Sequence, residues 1–342
     1  MQTDVLPIST ITNRANAVAD AVELLRKGDV VALPTETVYG LAANALNPIA
    51  VAKIFEAKER PRFDPLIVHL PNREWLQKIA ELPASERQLI LKLTDKFWPG
   101  PFTMVLPKCK IVPDIVTAGL GTVAVRISAH PMFAEIVLEF GEPLAAPSAN
   151  RFGRVSPTTA QHVLDELNGR ISLIVDAGPT EHGVESTIVA VQNSKIAILR
   201  RGPITYEELS QFAEVSSAAV TSKISSPGQL PSHYMPATPL RLIDNAQDFL
   251  PQKNRRVGLL AWHARGGGLP IAQQRTGDRR SLKFAAVRRL SGRQDLREAA
   301  ANLFRCLREL DALSLDLIVA ERVPCQGLGA AIMDRLERAS CR

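Results

Sequence analysis

The chain lacks most features that would mark a membrane, secreted or metal-centred protein. No apolar run approaches the roughly 18–20 residues that a membrane-spanning helix needs. The opening stretch, MQTDVLPIST, has neither a basic nor an apolar leader region, so no secretory signal is expected. Cysteine is scarce, with only Cys109, Cys306, Cys325 and Cys341. None forms a C-x-x-C pair, and none stands near a histidine at metal-ligand spacing. A reduced, cytoplasmic protein without structural zinc is the expectation. Aromatic residues make up 5% of the chain, which leaves few platforms for stacking nucleobases. The common catalytic and nucleotide signatures are missing too. There is no G-x-x-x-x-G-K-[ST] loop, no G-x-S-x-G and no H-E-x-x-H. GLGTVA and GLGAAI lack the third glycine of a dinucleotide fingerprint. A nucleotide, if bound, must be held by side-chain cations and an unusual set of loops.

What is present is an ordinary globular composition. The chain has 342 residues, 46% hydrophobic and 22% charged, enough for two or three domains with a sizeable core. Its net charge of +6 is unevenly placed. Residues 1–240 hold 22 Lys/Arg against 24 Asp/Glu, and residues 241–342 hold 19 against 11. Ten cations and one acid, Asp278, lie within 255–293. The basic excess is therefore far in sequence from the most cationic short motif, KERPRFDPL at 58–66.

The first 210 residues alternate between helical and strand patterns. NAVADAVELLRKG has helical spacing and ends at Gly28, a glycine suited to a helix C-terminus. Asn47 and Pro48 open a second helix as N-cap and first helical residue, and Pro61 ends it, placing Lys58 to Arg62 on its exit. Further helices are expected over 72–80, 85–96, 131–140, 158–167 and 205–213. Strands are expected in DVVALPTET, PLIVHL, FTMVLP, TVAVRIS, LIVDAG, STIVAV and IAILR. Several are adjacent in sequence, which favours a mixed sheet over a purely parallel one. Residues 214–239 are rich in Ser, Pro, Thr and Ala and read as a linker. That linker carries His233 and Tyr234, for which a passive spacer has no use. Residues 240–342 form a small α/β domain, with strands in PLRLIDN, RVGLLAW and LDLIVAERV and amphipathic helices in DLREAAANLFRCLRELDAL and GLGAAIMDRLERAS.

Polar stretches fall at strand ends, where α/β proteins place ligands. KERPRFDPL fixes Lys58, Arg60 and Arg62 in a stiff loop, either as a solvated charge cluster or as a cradle for a polyanion. PTETVYG offers Thr35, Thr37 and Tyr39, or simply a turn. TVAVRIS sets Arg126 inside an apolar strand, where it needs a carboxylate from the protein or from a ligand. APSANRFGRVSPT offers Ser148, Asn150 and Ser156. GVESTIVAV and ILRRG offer Ser186, Thr187 and Arg200, with Glu185 placed to pair with an arginine.

Together these stretches are specific. PTETVYGL, KERPRFDPLIVH, WPGPFT, TVAVRIS, APSAN, SPT, GVESTIV and ILRRG, in that order, resemble the long form of the threonylcarbamoyl-AMP synthase family. SPG…HYMP and the ending NLFRCLRELDAL…AERVP…GLGAAIMDRL are similar to that family's linker and C-terminal domain. The resemblance covers nearly the whole chain, apart from residues 1–12 and 263–290. It implies an α/β fold: a YrdC-like twisted mixed-sheet α/β domain with a second, smaller Rossmann-like α/β domain. The implied boundaries are a catalytic domain over 1–213, a linker acting as active-site lid over 214–239 and a C-terminal domain over 240–342. It implies a nucleotidyltransferase that uses L-threonine, bicarbonate or CO2, and ATP with Mg2+, and that supplies tRNA modification. Lys58 and Arg62 would be catalytic, holding the ATP phosphates with Arg60 beside them. Thr122, Ala146, Ser148, Ser156 and Arg200 would line the nucleotide site, Asn150 would support it, and Tyr234 with His233 would close over it. Thr35, His69, Arg126 and Ser186 would hold threonine. No residue stands out as a metal ligand. Asp64 departs from the family, which usually has Asn or His there; it faces away, caps the turn before Pro65, or meets the metal.

Two other readings compete. An RNA-binding module without catalysis would use the opening motif and the 255–293 stretch, but only Trp262 and Phe284 are aromatic there. A carbamoyltransferase of the hydrogenase-maturation type would need Cys-rich zinc modules and an acylphosphatase-like domain, and this chain has neither. Handover of the product to a tRNA-modifying partner belongs to the first reading, and none of the three involves a membrane.

Overall fold

The computed structural model describes residues 2–217, 233–249, 254–263 and 284–341. Residues 218–232 of the expected linker and 264–283 of the basic stretch lie outside the described residues. The chain divides into two compact units, Met1–Phe152 with Ser156–Leu230, and Gly153–Val155 with Pro231–Arg342.

The first unit is built on a mixed sheet of eleven strands among the described residues. In chain order they are β1 (Asp4–Pro7), β2 (Val31–Leu33), β3 (Gly40–Asn44), β4 (Ile67–His69), β5 (Phe102–Pro107), β6 (Thr122–Arg126), β7 (Leu144–Ala145), β8 (Leu173–Asp176), β9 (Thr187–Gln192), β10 (Lys195–Arg200) and β11 (Val215–Ser217). Their spatial order is β1-β8-β2-β3-β7-β4-β6-β5-β9-β10-β11. β4 and β6 sit near the middle and run parallel, with His69 opposite Arg126. Residues paired in register project to the same face of a sheet, so these two side chains form one buried wall. Apolar residues fill both sides. Leu41, Ile54, Val68, Met104 and Val125 belong to one cluster, and Ala17, Val22, Leu33, Phe133 and Ile136 to the other.

Local chemistry explains the first two helices. Helix α1 (Ile11–Arg26) starts where Thr10 accepts the Asn13 amide at 3.1 Å and buries Ala17, Val18, Ala21, Val22 and Leu25. Helix α2 (Pro48–Lys58) starts where Asn47 accepts the Ile49 and Ala50 amides, with Pro48 first inside. It ends at Glu59, which turns left-handed at φ 53°, two residues before Pro61. Two glycines permit close approaches. A Cβ at Gly40 would stand 3.3 Å from the Ala146 Cβ, and one at Gly202 would stand 2.4 Å from the Thr187 amide nitrogen. These are the points where 146–148 and 185–187 are drawn against β3 and the turn after β10.

Several boundaries differ from the sequence reading. The helix expected at 205–213 is one turn, Tyr206–Leu209, capped reciprocally by Thr205 and Glu208. The 72–80 helix divides into a 3-10 turn at Arg73–Trp75 and a helix at Leu76–Ile79. Residues 215–217, expected within the linker, pair with β10.

Among the described residues the second unit has a four-stranded parallel sheet, β12 (Leu240–Ile243), β13 (Val257–His263), β14 (Ala286–Ser291) and β15 (Leu317–Glu321), ordered β12-β15-β13-β14. Helices Leu296–Asp311 and Gly329–Ser340 supply its buried Leu303, Phe304, Leu307, Ile332 and Leu336. Tyr234 belongs to this unit. It adopts φ 64°, is almost fully buried, stacks on Phe304 with centroids 5.5 Å apart, and lies under the Arg335 guanidinium at 5.3 Å. The left-handed backbone costs about 1–2 kcal/mol, so these contacts must outweigh it. Asp311 accepts the Ala237 and Thr238 amides at 2.9 and 2.7 Å, fixing the chain that leaves Tyr234.

Candidate active site

The pocket wall begins with Arg126 at the end of β6. Its Nη2 donates to Glu36 Oε1 at 2.5 Å and its Nη1 to Thr37 Oγ1 at 3.2 Å. Glu36 also accepts from the Ser128 hydroxyl. The buried arginine therefore has a protein carboxylate, and that carboxylate lies in the loop after β2. Glu36 and Ser128 were not among the sequence candidates. The PTET segment and β6 are ninety residues apart, and only the sheet register brings them together.

Two atoms of this wall remain unsatisfied. Arg126 Nε is buried and has no hydrogen-bond partner, and neither has Nδ1 of the buried His69. Burial, reinforced by the Arg126 charge, pushes the His69 ring well below its usual pKa, so it is neutral. The Ala146 backbone faces the ring. With the ring proton assigned toward that carbonyl, Nδ1 is an acceptor. One unused donor thus stands beside one unused acceptor. Thr35, also buried, donates its hydroxyl to the Val38 carbonyl at 2.6 Å, and its oxygen lies 2.8 Å from the Thr37 hydroxyl and accepts the Thr37 and Val38 amides at 3.1 and 3.2 Å. Tyr39 is structural: its hydroxyl donates to the Gly178 carbonyl at 2.7 Å and accepts the Ala177 amide.

The KERPR cations are not a uniform exposed cradle. The Lys58 ammonium is buried and donates to the Ser148 carbonyl at 2.5 Å and to the Asn150 carbonyl. Burial, then repulsion from Arg60, pushes its pKa well below the ordinary lysine value. Arg60 is also buried and bonds the Asp64 and Pro65 carbonyls at 3.2 and 2.8 Å. Arg62 is exposed, next to the exposed Phe63. Asp64 is fully buried and pairs with Arg60 at 2.9 Å. Burial raises its pKa against the pull of Arg60, Lys58 and Arg200. The departure at this position thus puts an anion at the convergence of three cations.

The remaining candidates make separate local contacts. Arg200 holds the Ser186 carbonyl and hydroxyl, each at 3.0 Å, and Ser186 also meets Thr103 at 2.8 Å. Ser156 donates to Glu185 at 2.5 Å, and Asn150 donates to the Arg151 carbonyl at 2.7 Å. Ala146 hangs from the Ile67 carbonyl at 3.0 Å, and half-buried Ser148 bridges to Gly40. Thr122 begins β6 and lies four residues, about 13 Å, from Arg126. It cannot touch a small ligand held by Arg126, although a longer molecule along the strand reaches both. Tyr234 lies in the second unit.

Fold and side chains together define an α/β protein with buried cations along a mixed sheet, Lys58, Arg60, Arg126 and Arg200, and a smaller parallel α/β unit after it. The comparisons narrow this class. Residues 23–202 match the Sua5/YciO/YrdC family model, described as telomere recombination, and residues 204–341 match the model for the threonylcarbamoyl-AMP synthase C-terminal domain. The threonylcarbamoyl-AMP synthase of Bacillus subtilis is 40% identical over 94% of this chain and 92% of its own length. That of Pyrococcus abyssi is 38% identical over 94% and 93%. The crystal structure of P. abyssi Sua5 complexed with L-threonine superposes with a TM-score of 0.85 at 34% identity, covering 99% of this chain and 98% of that one. The chain belongs to the threonylcarbamoyl-AMP synthase family.

Proposed function

We propose that the protein makes threonylcarbamoyl-AMP from L-threonine, bicarbonate or CO2, and ATP, with release of pyrophosphate. The observation that carries this reading is the orphaned pair on the pocket wall, Arg126 Nε and His69 Nδ1. A donor and an acceptor side by side complement the carboxylate and ammonium of an α-amino acid. Buried polar atoms are rarely left without partners, so the pair supports a ligand completing the wall here. Arg126 takes the carboxylate, His69 the amine, and Thr35 and Ser186 the remaining polar atoms of threonine.

The amine takes up the one-carbon unit as N-carboxythreonine, whose new carboxylate attacks the α-phosphorus of ATP as pyrophosphate leaves. This displacement needs positioning and charge stabilisation rather than a protein nucleophile. Lys58, Arg60, Arg62 and Arg200 provide cations for the phosphates, with Lys58 also holding the 148–150 loop through two carbonyls. Thr122, Ala146, Ser148, Asn150, Ser156 and Tyr234 complete the nucleotide set. Mg2+ would arrive with ATP, since no cluster of three His, Cys, Asp or Glu side chains exists among the described residues. Asp64 forms an ion pair with Arg60 at 2.9 Å, and its two buried oxygens make no hydrogen bond.

Residues 1–213 would be catalytic, 214–239 a lid and 240–342 its support. The Asp311, Phe304 and Arg335 contacts around residues 234–238 support the last role. Cytoplasmic residence suits four cysteines that all stay as thiols. Handover of a labile mixed anhydride to a tRNA-modifying partner follows from the same chemistry. Mass spectrometry with 13C-bicarbonate tests the reading. A product carrying threonine, AMP and one 13C is expected; AMP without the labelled carbon overturns it.

A further inference from the structure

The pocket wall contains one carboxylate that the proposed chemistry does not consume. Glu36 is 4% exposed, and both its oxygens are engaged, one by Arg126 and one by Ser128. Ser128 is itself buried, and its Oγ also accepts the His130 amide at 3.2 Å. Burial would raise the Glu36 carboxyl, but the Arg126 charge and the Ser128 hydroxyl outweigh it and bring it down to about 2. Glu36 is therefore an anion at any working pH. His69 adds no charge, because burial keeps it neutral. The two charges in contact beside His69, the Arg126 guanidinium and the Glu36 carboxylate, cancel each other.

A buried site disfavours any unbalanced charge. A zwitterion entering this wall leaves the sum at zero. A monoanion of the same skeleton, lacking the amine, takes it to −1. We propose that Glu36 determines substrate class in this pocket, balancing Arg126 and fixing its fork so that a zwitterionic α-amino acid is accepted and the corresponding plain carboxylate is refused. This rests on the reading of the wall as the threonine site. Glu36 acts through Arg126, so it is a positioning and specificity residue rather than a catalytic one.

The test is calorimetric binding of L-threonine and of 3-hydroxybutyrate, which is threonine without its amine, to the full chain. The wild type is expected to prefer threonine strongly. Glu36→Gln, which keeps the shape and removes the charge, should cut that preference at least about tenfold, chiefly by gaining affinity for 3-hydroxybutyrate. Glu36→Asp keeps the charge and withdraws it, so it should weaken both ligands and leave the preference intact. A folded Glu36→Gln protein with the wild-type preference overturns the inference. If that variant does not fold, Ser128→Ala decides: loosening Glu36 should weaken threonine several-fold, and an unchanged affinity overturns the inference. A wild type that binds neither ligand removes the threonine reading itself. Threonine binding with an unaltered ratio removes only the role given to Glu36.

Discussion

Replacing Arg126 by lysine keeps the charge and removes the fork. The guanidinium reaches Glu36 through Nη2 and Thr37 through Nη1 while Nε stays available. An ammonium at the end of a flexible stem cannot hold all three directions at once. It will keep Glu36, the anion, and give up the ligand. A hydrogen bond to a charged group contributes about 1.5–3 kcal/mol, which corresponds to about 10- to 150-fold in the dissociation constant of threonine. Losing the Thr37 hydrogen bond, also made by the charged guanidinium, costs about 1.5–3 kcal/mol more, seen as a fall in melting temperature. ATP binding should change little, because the cations proposed for the nucleotide are other residues. Calorimetry with threonine, calorimetry with ATP and a thermal melt separate the three effects. A folded Arg126→Lys protein that binds threonine as tightly as the wild type refutes the assignment of the carboxylate to this arginine.

Three further substitutions probe the rest of the site. Lys58→Met leaves the Ser148 and Asn150 carbonyls without their ammonium, at about 1–3 kcal/mol each, offset by no longer burying a cation. It should lower both melting temperature and pyrophosphate release, and loss of activity with unchanged stability would show that the loop is held by something else. Asp64 has a raised pKa in the folded state, so the folded chain holds that proton more tightly than the unfolded one. Stability therefore falls as pH rises through the folded value, and the ionised group is a burden at neutral pH. Asp64→Asn should melt no lower than the wild type at pH 7 and bind ATP more tightly; weaker ATP binding would mean that Asp64 serves the site directly. Tyr39→Phe removes one buried hydroxyl that bonds Gly178 and Ala177, costing about 1 kcal/mol with catalysis unchanged, and a large loss of turnover in a stable variant would move Tyr39 into the site.

The mixed sheet and most helices were legible because their signals are local. Asn47 and Pro48 open α2 as their side chains dictate, and Thr122–Arg126 is an apolar strand interrupted by one arginine. Strands β3 and β7 were not legible: GLAAN and LA are short, carry no β-branched residue, and exist because their neighbours pair with them. The candidate site residues could be named from their motifs, but their contacts could not. The sequence shows that Arg126 needs an anion and cannot show that Glu36 supplies it. It shows three cations in KERPR and cannot show that Lys58 and Arg60 turn inward to carbonyls while Arg62 turns out. Asp64 stood out as a departure, yet its pairing with Arg60 depends on a turn whose geometry no residue type dictates. Burial and register, both long-range properties, decide all three.

The most direct test of the account is pyrophosphate release from ATP by the purified chain, measured with threonine and bicarbonate together, with each alone, and with neither. Release that requires both co-substrates is the predicted result, because the attacking carboxylate does not exist until threonine's amine has been carboxylated. Release with neither, or ATP binding with no release under any condition, would contradict it.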